Sequence, residues 1–218
     1  MSEEQPQAPR ILAEPAVRTR RRTMLSASHS HPLADFAARL RLQGRGSVPD
    51  FDPLDGGTEA RALFLLEKPG PMTVDDGAKR AGSGFISRDN DDPTAEATFH
   101  FQRDAGLERA DTLLWNVIPW WNGTRRITAT ELKDGIAELG ALRCLLPRLE
   151  VVVLVGAKAA KSRKALQAWG MPVFDSAHPS PIVRASRRER WDAIPSEWAK
   201  ARKALTDQVR SGSKEGKT

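Results

Sequence analysis

Short apolar runs alternate along the chain with longer segments whose apolar residues recur at helical spacing. The runs predict buried strands at 62–66, 111–118 and 151–155, and a shorter strand at 172–175. Helical spacing predicts helices at 33–42, from Pro93 onward, at 129–146, and around Trp191, Trp198 and Leu205. Because strands alternate with helices, we expect right-handed crossovers and parallel strands. The pattern therefore predicts an α/β fold, a three-layer α/β/α sandwich with a central, mainly parallel four-stranded sheet.

Composition predicts one domain between two tails. Residues 1–30 are rich in Pro, Ala, Arg and Ser and contain the basic run 18–22, so they cannot bury enough apolar surface to order themselves. We expect a flexible basic tail over 1–30, a globular domain over 31–210 and a second flexible tail over 211–218. The first tail either binds a polyanion loosely through its charge or has no role.

Charge and cysteine content narrow the classes of function. The formal net charge is +6, which favours an anionic partner, and nucleic acid is the commonest one. The single cysteine, Cys144, excludes an intramolecular disulfide and a cysteine-ligated cluster. No apolar stretch approaches the roughly 20 residues of a membrane span, and the N-terminus shows no signal-peptide core. These features predict a cytoplasmic protein without a membrane partner.

Three unusual polar segments follow predicted strands. They are 67–72 after the first strand, Asn116 at the end of the second, and 178–181 after the fourth. In parallel sheets, ligands bind beyond the carboxyl ends of the strands. We therefore expect the three segments to form one site.

These segments resemble the signature of the uracil-DNA glycosylase superfamily. Glu67-Lys68-Pro69-Gly70-Pro71 resembles its first motif in the Pro-Gly forms, and His178-Pro179-Ser180-Pro181 matches its second motif. Asn116 ends a strand as the base-reading Asn of the family does, and 82–85 resembles the stretch that carries a base-stacking Phe. The resemblance covers roughly residues 60–205. Since the iron-sulfur classes need four cysteines, it points to a class without that cluster.

The resemblance implies a catalytic domain that removes uracil from DNA. It implies uracil-containing DNA as partner, no metal and no cofactor, and we expect a monomer. An alternative is a DNA-binding or lesion-sensing protein on the same fold, without turnover. Removal of residues 1–28 is expected to weaken the salt dependence of DNA binding and to leave cleavage nearly intact.

The resemblance also assigns roles within the site. Phe85 would stack on the flipped base, and Asn116 would read its edge. His178 would donate to uracil O2 as the glycosidic bond breaks. Lys68, Pro69, Gly70 and Ser180 would complete the substrate site.

Two motif positions depart from the best-known class of the family. Lys68 stands where that class has an Asp, so we assign the attacking water to Glu67, with Asp89, Asp91 and Asp92 as the second choice. Gly70 stands where that class has a Tyr that blocks thymine.

The segment after the second motif is expected to contact DNA. By resemblance, Ile182 and Val183 would fill the gap left by the flipped base. The basic residues that follow, Arg184, Arg187 and Arg188, would bind phosphate, although a solvated basic helix start explains them as well.

Overall fold

The structure, a computed structural model, describes residues 7–74 and 82–212, with side chains as far as residue 205. The α-helices are α1 (Pro15–Thr23), α2 (His31–Leu42), α3 (Pro93–Asp104), α4 (Ala129–Cys144), α5 (Arg163–Gln167), α6 (Pro181–Ser186), α7 (Arg188–Asp192) and α8 (Ile194–Gly212). The strands are β1 (Asp50–Phe51), β2 (Ala62–Leu66), β3 (Phe85–Ile86), β4 (Thr112–Asn116), β5 (Val151–Val155) and β6 (Val173–Ser176). Short 3-10 helices lie at Ile11–Ala13, Met24–Ser26, Gly57–Glu59, Pro71–Thr73, Arg109–Asp111 and Ala159–Ser162.

A four-stranded sheet with the order β4-β2-β5-β6 forms the centre of the fold. Each neighbouring pair is parallel; Ala62 of β2, for example, pairs with Thr112 and with Val151. β5 is buried along its whole length, as its continuous run of aliphatic residues predicts. The structure confirms the predicted fold class, with all four strands parallel.

The two faces of this sheet are covered by different helices. Phe64 of β2 pairs with Leu114 of β4, so their side chains lie on the same face of the sheet. Trp115 follows Leu114 in β4 and therefore points to the opposite face. The Phe64 ring packs edge-on against Trp198 of α8, with centroids 5.0 Å apart. Trp115 instead contacts Phe36 of α2, with centroids 6.4 Å apart. The helices α2 and α8 therefore lie on opposite faces, which produces three layers.

A second, two-stranded sheet escapes the sequence patterns. β1 and β3 pair in parallel, Asp50 with Phe85 and Phe51 with Ile86. Strands of two residues are too short to show a period, so no pattern indicates them. Phe51 stacks on Trp115 at 3.7 Å between centroids, which joins the small sheet to the core.

Two helices begin at side chains that cap their backbone N–H groups. Asp92 caps α3, accepting from the backbone N–H groups of Thr94 and Ala95, and Pro93 occupies its first turn. Thr128 and Glu131 form a capping box at the start of α4. The basic segment after β5 is a 3-10 turn followed by the short α5, and the closing helical segment is divided into α7 and α8.

The N-terminal residues that the structure describes pack against the domain, which corrects the expectation of a flexible tail over 1–30. α1 carries Arg21, which is 1% exposed and lies 2.6 Å from a carboxylate oxygen of Asp52. Composition does not reveal this order, because it depends on carboxylates distant in sequence. Residues 1–6 lie outside the described residues. Of the predicted C-terminal tail, 211 and 212 end α8 and 213–218 lie outside the described residues.

None of the helices in the described part of the chain combines the length and apolar character that crossing a membrane requires.

Candidate active site

A cavity of about 420 Å³ opens beyond the carboxyl ends of β2 and β4. Its walls come from the segment after β2, the end of β4, the start of α3 and the segment after β6. The polar and Pro or Gly residues that line it are Glu67, Lys68, Pro69, Gly70, Pro71, Thr73, Ser87, Asn90, Asp92, Pro93, Thr94, Thr98, Asn116, Arg125, His178, Ser180 and Pro181. The three segments expected to converge therefore form one cavity.

Asn116 presents a buried amide at the end of β4. It pairs with Leu66 in the sheet register and is 3% exposed. No hydrogen bond of its side chain joins it to another described residue, although it lines the cavity. A buried amide without partners costs free energy, so this side chain is suited to pair with a polar ligand.

His178 faces the same cavity from the segment after β6. Burial lowers the pKa of its imidazole, with Lys158 and Arg125 acting in the same direction and Glu67 and Asp92 opposing them. The imidazole is therefore neutral near pH 7. A neutral ring carries one N–H donor and one acceptor nitrogen.

Glu67 lines the cavity, and one of its two carboxylate oxygens forms an ion pair. Lys158 Nζ lies 3.0 Å from Glu67 Oε1, while Oε2 has no partner among the described residues. The carboxylate can accept a further hydrogen bond through Oε2.

Of the three carboxylates considered as second choice for positioning the water, Asp92 lines the cavity, and Asp89 and Asp91 do not. Asp89 is 0% exposed and binds Arg21 and Arg109, and Asp91 pairs with Arg10. Neither lines the cavity. Asp92 does line it, but its Oδ1 caps α3.

Lys68 lines the cavity, but its ammonium is engaged by two neighbouring side chains. Nζ lies 2.7 Å from Asn122 Oδ1 and 2.7 Å from Glu131 Oε1, and the side chain is 2% exposed. Desolvation opposes ionisation of Glu131, yet hydrogen bonds from Lys68 and Thr128 lower its pKa to about 2. Lys68 thus ties the segment after β2 to α4.

Gly70 leaves the cavity wall open. A Cβ built at this position would meet no heavy atom within 4 Å. Pro69, Pro71 and Met72 line the cavity beside it.

Phe85 is not among the residues that line the cavity, although the sequence suggested it as the stacking partner. Its side chain is 1% exposed, and its backbone nitrogen donates to Ser83 Oγ. The adjacent Ile86 lines the cavity instead. The orientation of this pair depends on the register of β3, which the sequence does not reveal.

The predicted DNA-contacting residues lie on α6 and α7. Ser180 caps α6 by accepting from the Val183 backbone N–H at 3.4 Å. Ile182 is 75% exposed, whereas Val183 packs against the core, so the expected apolar pair is divided.

The three arginines expected to bind phosphate are exposed. Arg184 lies over the Trp191 ring at 5.8 Å from the centroid, and Arg188 pairs with Asp192.

One charged lining residue, Arg125, escaped the sequence interpretation. Arg125 is exposed and has no hydrogen bond or ion pair with a described residue. The adjacent basic pair Arg125-Arg126, in the loop after β4, was the available signal. Asn90 is 2% exposed; its Nδ2 donates to Phe85 O at 2.9 Å, while its Oδ1 is buried without a partner.

No group of three or more His, Cys, Asp or Glu residues within the described ranges could hold a metal ion.

Comparison with families of known proteins identifies the family of this chain. No curated protein matches the chain significantly. The solution NMR structure of a "putative Uracil DNA glycosylase" from Methanosarcina acetivorans is similar at 16% identity and a TM-score of 0.43, covering 65% of this chain and 91% of that one. The family model described as the uracil DNA glycosylase superfamily matches residues 56–205, more than half of the chain, and spans every cavity segment described above. The chain therefore belongs to the uracil DNA glycosylase superfamily.

Proposed function

We propose that this chain is a uracil-DNA glycosylase, which hydrolyses the N-glycosidic bond of a flipped-out uracil and leaves an abasic site. The observation that carries the proposal is the meeting of Asn116, His178 and Glu67 at one cavity. An enzyme that acts on a base must take the base out of the stack, and a cavity of about 420 Å³ has room for one. One such cavity suffices, so we expect a monomer, and we place the reaction in the cytoplasm.

The buried amide of Asn116 supports selection of uracil. Its Oδ1 accepts from uracil N3–H while its Nδ2 donates to O4. Cytosine presents an acceptor at N3 and a donor at N4, so it would leave both buried groups unpaired. A site built to hydrogen-bond one pattern rejects the other strongly for this reason.

The neutral imidazole of His178 supports departure of the base. As the C1′–N1 bond breaks, its electron pair stays on uracil and negative charge develops on O2. A ring N–H directed at O2 stabilises that charge, as oxyanion-hole donors do.

Glu67 supports attack by water. Its Oε2 accepts a hydrogen bond from the water whose oxygen forms the new bond to C1′ and whose proton is released. The charge of Glu67 also stabilises the cationic sugar formed as the base leaves. Lys158 holds the carboxylate in place through Oε1.

The exposed residues beside the cavity support contact with DNA. Ile182 projects from the first turn of α6, where it can occupy the space of the flipped base. Arg184, Arg187 and Arg188 follow on the same segment and can reach phosphates.

The experiment is uracil release from an oligonucleotide with one deoxyuridine, single-stranded and paired with guanine. The full chain should produce abasic sites. Substrates with cytosine should stay intact, and so should thymine in its normal pair with adenine, because flipping a well-paired base costs a few kcal/mol more than flipping a mismatched one. His178→Ala should lower the single-turnover rate on the order of 10²-fold while DNA affinity is kept. His31→Ala, at an exposed position, is the matched control. Binding to uracil-containing DNA without abasic sites would favour the lesion-sensing alternative.

A further inference from the structure

A buried ionic cluster adjoins one wall of the cavity. We call it the arginine–aspartate cluster; its members are Arg21, Asp52, Asp55, Arg88, Asp89 and Arg109. Each is at most 8% exposed. Buried charges are tolerated only when they are paired, so the geometry of such a cluster is strongly constrained.

Two arginines from distant parts of the chain share the same two carboxylates. Arg21 of α1 lies 2.6 Å from Asp52 Oδ2 and 3.1 Å from Asp89 Oδ2. Arg109, which precedes β4, lies 2.7 Å and 2.9 Å from the same two oxygens. Although burial opposes ionisation, Arg109 and Arg21 hold the pKa of Asp52 below its ordinary value. Both carboxylates therefore depend on an N-terminal cation.

The cluster is hydrogen-bonded to the loop that connects β3 to α3, residues 87–92. Ser87 Oγ donates to Asp52, and the Asp89 backbone N–H donates to Ser87 Oγ at 2.9 Å. Ser87, Asn90 and Asp92 of this loop line the cavity. The orientation of this wall is therefore coupled to the ion pairs behind it.

The N-terminal segment holds the same loop at two further points. The Leu12 backbone N–H donates to Asp89 O at 3.1 Å. Arg10 lies 3.4 Å from Asp91 and 2.8 Å from Glu96 of α3. Residues 10, 12 and 21 of the N-terminal segment therefore all contact this loop.

From this geometry we infer that Arg21 is a positioning residue, and that the N-terminal segment 10–23 fixes the 87–92 wall of the base cavity. Arg21 and the rest of segment 10–23 lie outside the range matched by the family model, which begins at residue 56. The activity part of this inference rests on the proposed function. It reverses the expectation that residues 1–28 can be removed without loss of cleavage.

The test compares Arg21→Ala with Arg20→Ala in the full chain. Arg20 is the exposed neighbour on the same helix, so the two variants remove the same charge from the same segment. At saturating DNA, Arg21→Ala should lower the single-turnover rate by about 10²-fold, the loss caused by a displacement of about 1 Å at a reacting centre. The dissociation constant for DNA should stay within about twofold, since the phosphate-binding surface is untouched. Arg20→Ala should retain the full rate.

A second measurement does not depend on activity. Amide hydrogen exchange at Asp89, Asn90 and Asp92 should become at least about tenfold faster in Arg21→Ala, while the amides of Leu114 and Val153 in the sheet keep their protection. Arg21→Lys should recover part of the rate and of the protection, because one ammonium reaches one carboxylate but not both. If Arg21→Ala does not fold, Arg21→Lys against Arg20→Lys carries the same comparison.

Unchanged exchange at 87–92 with an unchanged rate would overturn the inference, as would a uniform rise in exchange over the whole sheet. A wild-type chain that releases no uracil would refute the proposed function. Even then, a selective rise in amide exchange at 87–92 on the substitution Arg21→Ala would support the positioning role.

Discussion

Gly156 packs against the side chain of His178, and its lack of a side chain leaves room for the imidazole. The glycine follows β5 with a φ of +94°, and a Cβ built on it would lie 3.0 Å from His178 Cβ and 3.3 Å from Cδ2. Because the contact is with the first atoms of the imidazole side chain, a methyl group would displace the ring. The two residues occupy the ends of neighbouring strands, β5 and β6, so the displacement would be passed directly into the cavity.

Gly156→Ala is therefore expected to lower the single-turnover rate by about tenfold or more, with little change in DNA affinity, since it moves the proposed oxyanion donor. It should also cost about 1 kcal/mol of folding free energy, because alanine is strained at positive φ. Gly170→Ala is the matched control: its φ is +76°, and a Cβ there meets nothing within 4 Å. Equal rates in the two variants would exclude His178 as the displaced group.

The pH dependence of cleavage should reflect a neutral His178. Burial lowers the pKa of this residue below its ordinary value of 6.5, so less than half of the ring is protonated at pH 6.5. The acidic limb that its protonation causes should therefore have its midpoint below pH 6.5. Lys158→Ala should shift the acidic limb to higher pH, because it removes one of the two cations that lower the pKa of His178. Single-turnover rates from about pH 8 to about pH 5 locate the limb in both proteins, and an acidic limb with its midpoint above pH 6.5 in the wild type would contradict the prediction.

Asn116→Asp should relax discrimination against cytosine and weaken uracil processing. A carboxylate accepts from cytosine N4–H₂, and a protonated carboxyl can donate to N3. The buried, unpartnered position of Asn116 makes the exchange of donor for acceptor costly for uracil. Release of uracil and cytosine from matched oligonucleotides measures the change. Unaltered uracil kinetics would remove Asn116 from the site.

The open wall at Gly70 should admit some uracils with a substituent at C5, of which 5-hydroxymethyluracil is the chosen test. An apolar pocket excludes one methyl by only ~1–3 kcal/mol, so strong exclusion needs a bulky group. Gly70→Tyr places such a group where a Cβ meets no other atom. It should reduce release of the substituted base more than release of uracil. A wild type inactive on every 5-substituted uracil would show that another residue closes the wall.

Arg125 should bind a phosphate beside the cavity mouth. It lines the cavity without a partner among the described residues, whereas the adjacent exposed Arg126 does not line it. Loss of one phosphate contact lowers the slope of log affinity against log salt by about 0.9 for duplex DNA. Arg125→Ala should show this change and Arg126→Ala should not, in binding titrations over a series of salt concentrations. Identical slopes would place Arg125 off the DNA.

The sequence predicts the sheet better than it predicts the cavity wall. β2, β4 and β5 follow from apolar runs, because a parallel strand covered on both faces requires them. The edge strand β6 is shorter and only partly buried, and a weaker apolar signal indicates it. The positions of Glu67, Asn116 and His178 then follow from the rule that ligands bind at the carboxyl ends.

The remaining features depend on contacts between residues far apart in the chain. Ile86 lines the cavity and Phe85 does not, which depends on the register of a two-residue strand. Arg21 lies in a segment with the composition of a tail, and only its pairing with Asp52 and Asp89 orders it. The ion pair between Lys68 and Glu131 also joins residues far apart in the chain, so no local pattern indicates it.

The order of the strands also determines when activity can first arise during synthesis. Ribosomes deliver the chain from its N-terminus, and β2 meets its two neighbours, β4 and β5, before β6 exists. A nascent chain thus acquires Glu67 and Asn116 early, but the histidine that would drive bond cleavage emerges last of the three. The three residues of the proposed site therefore come together only after β6 has paired with β5.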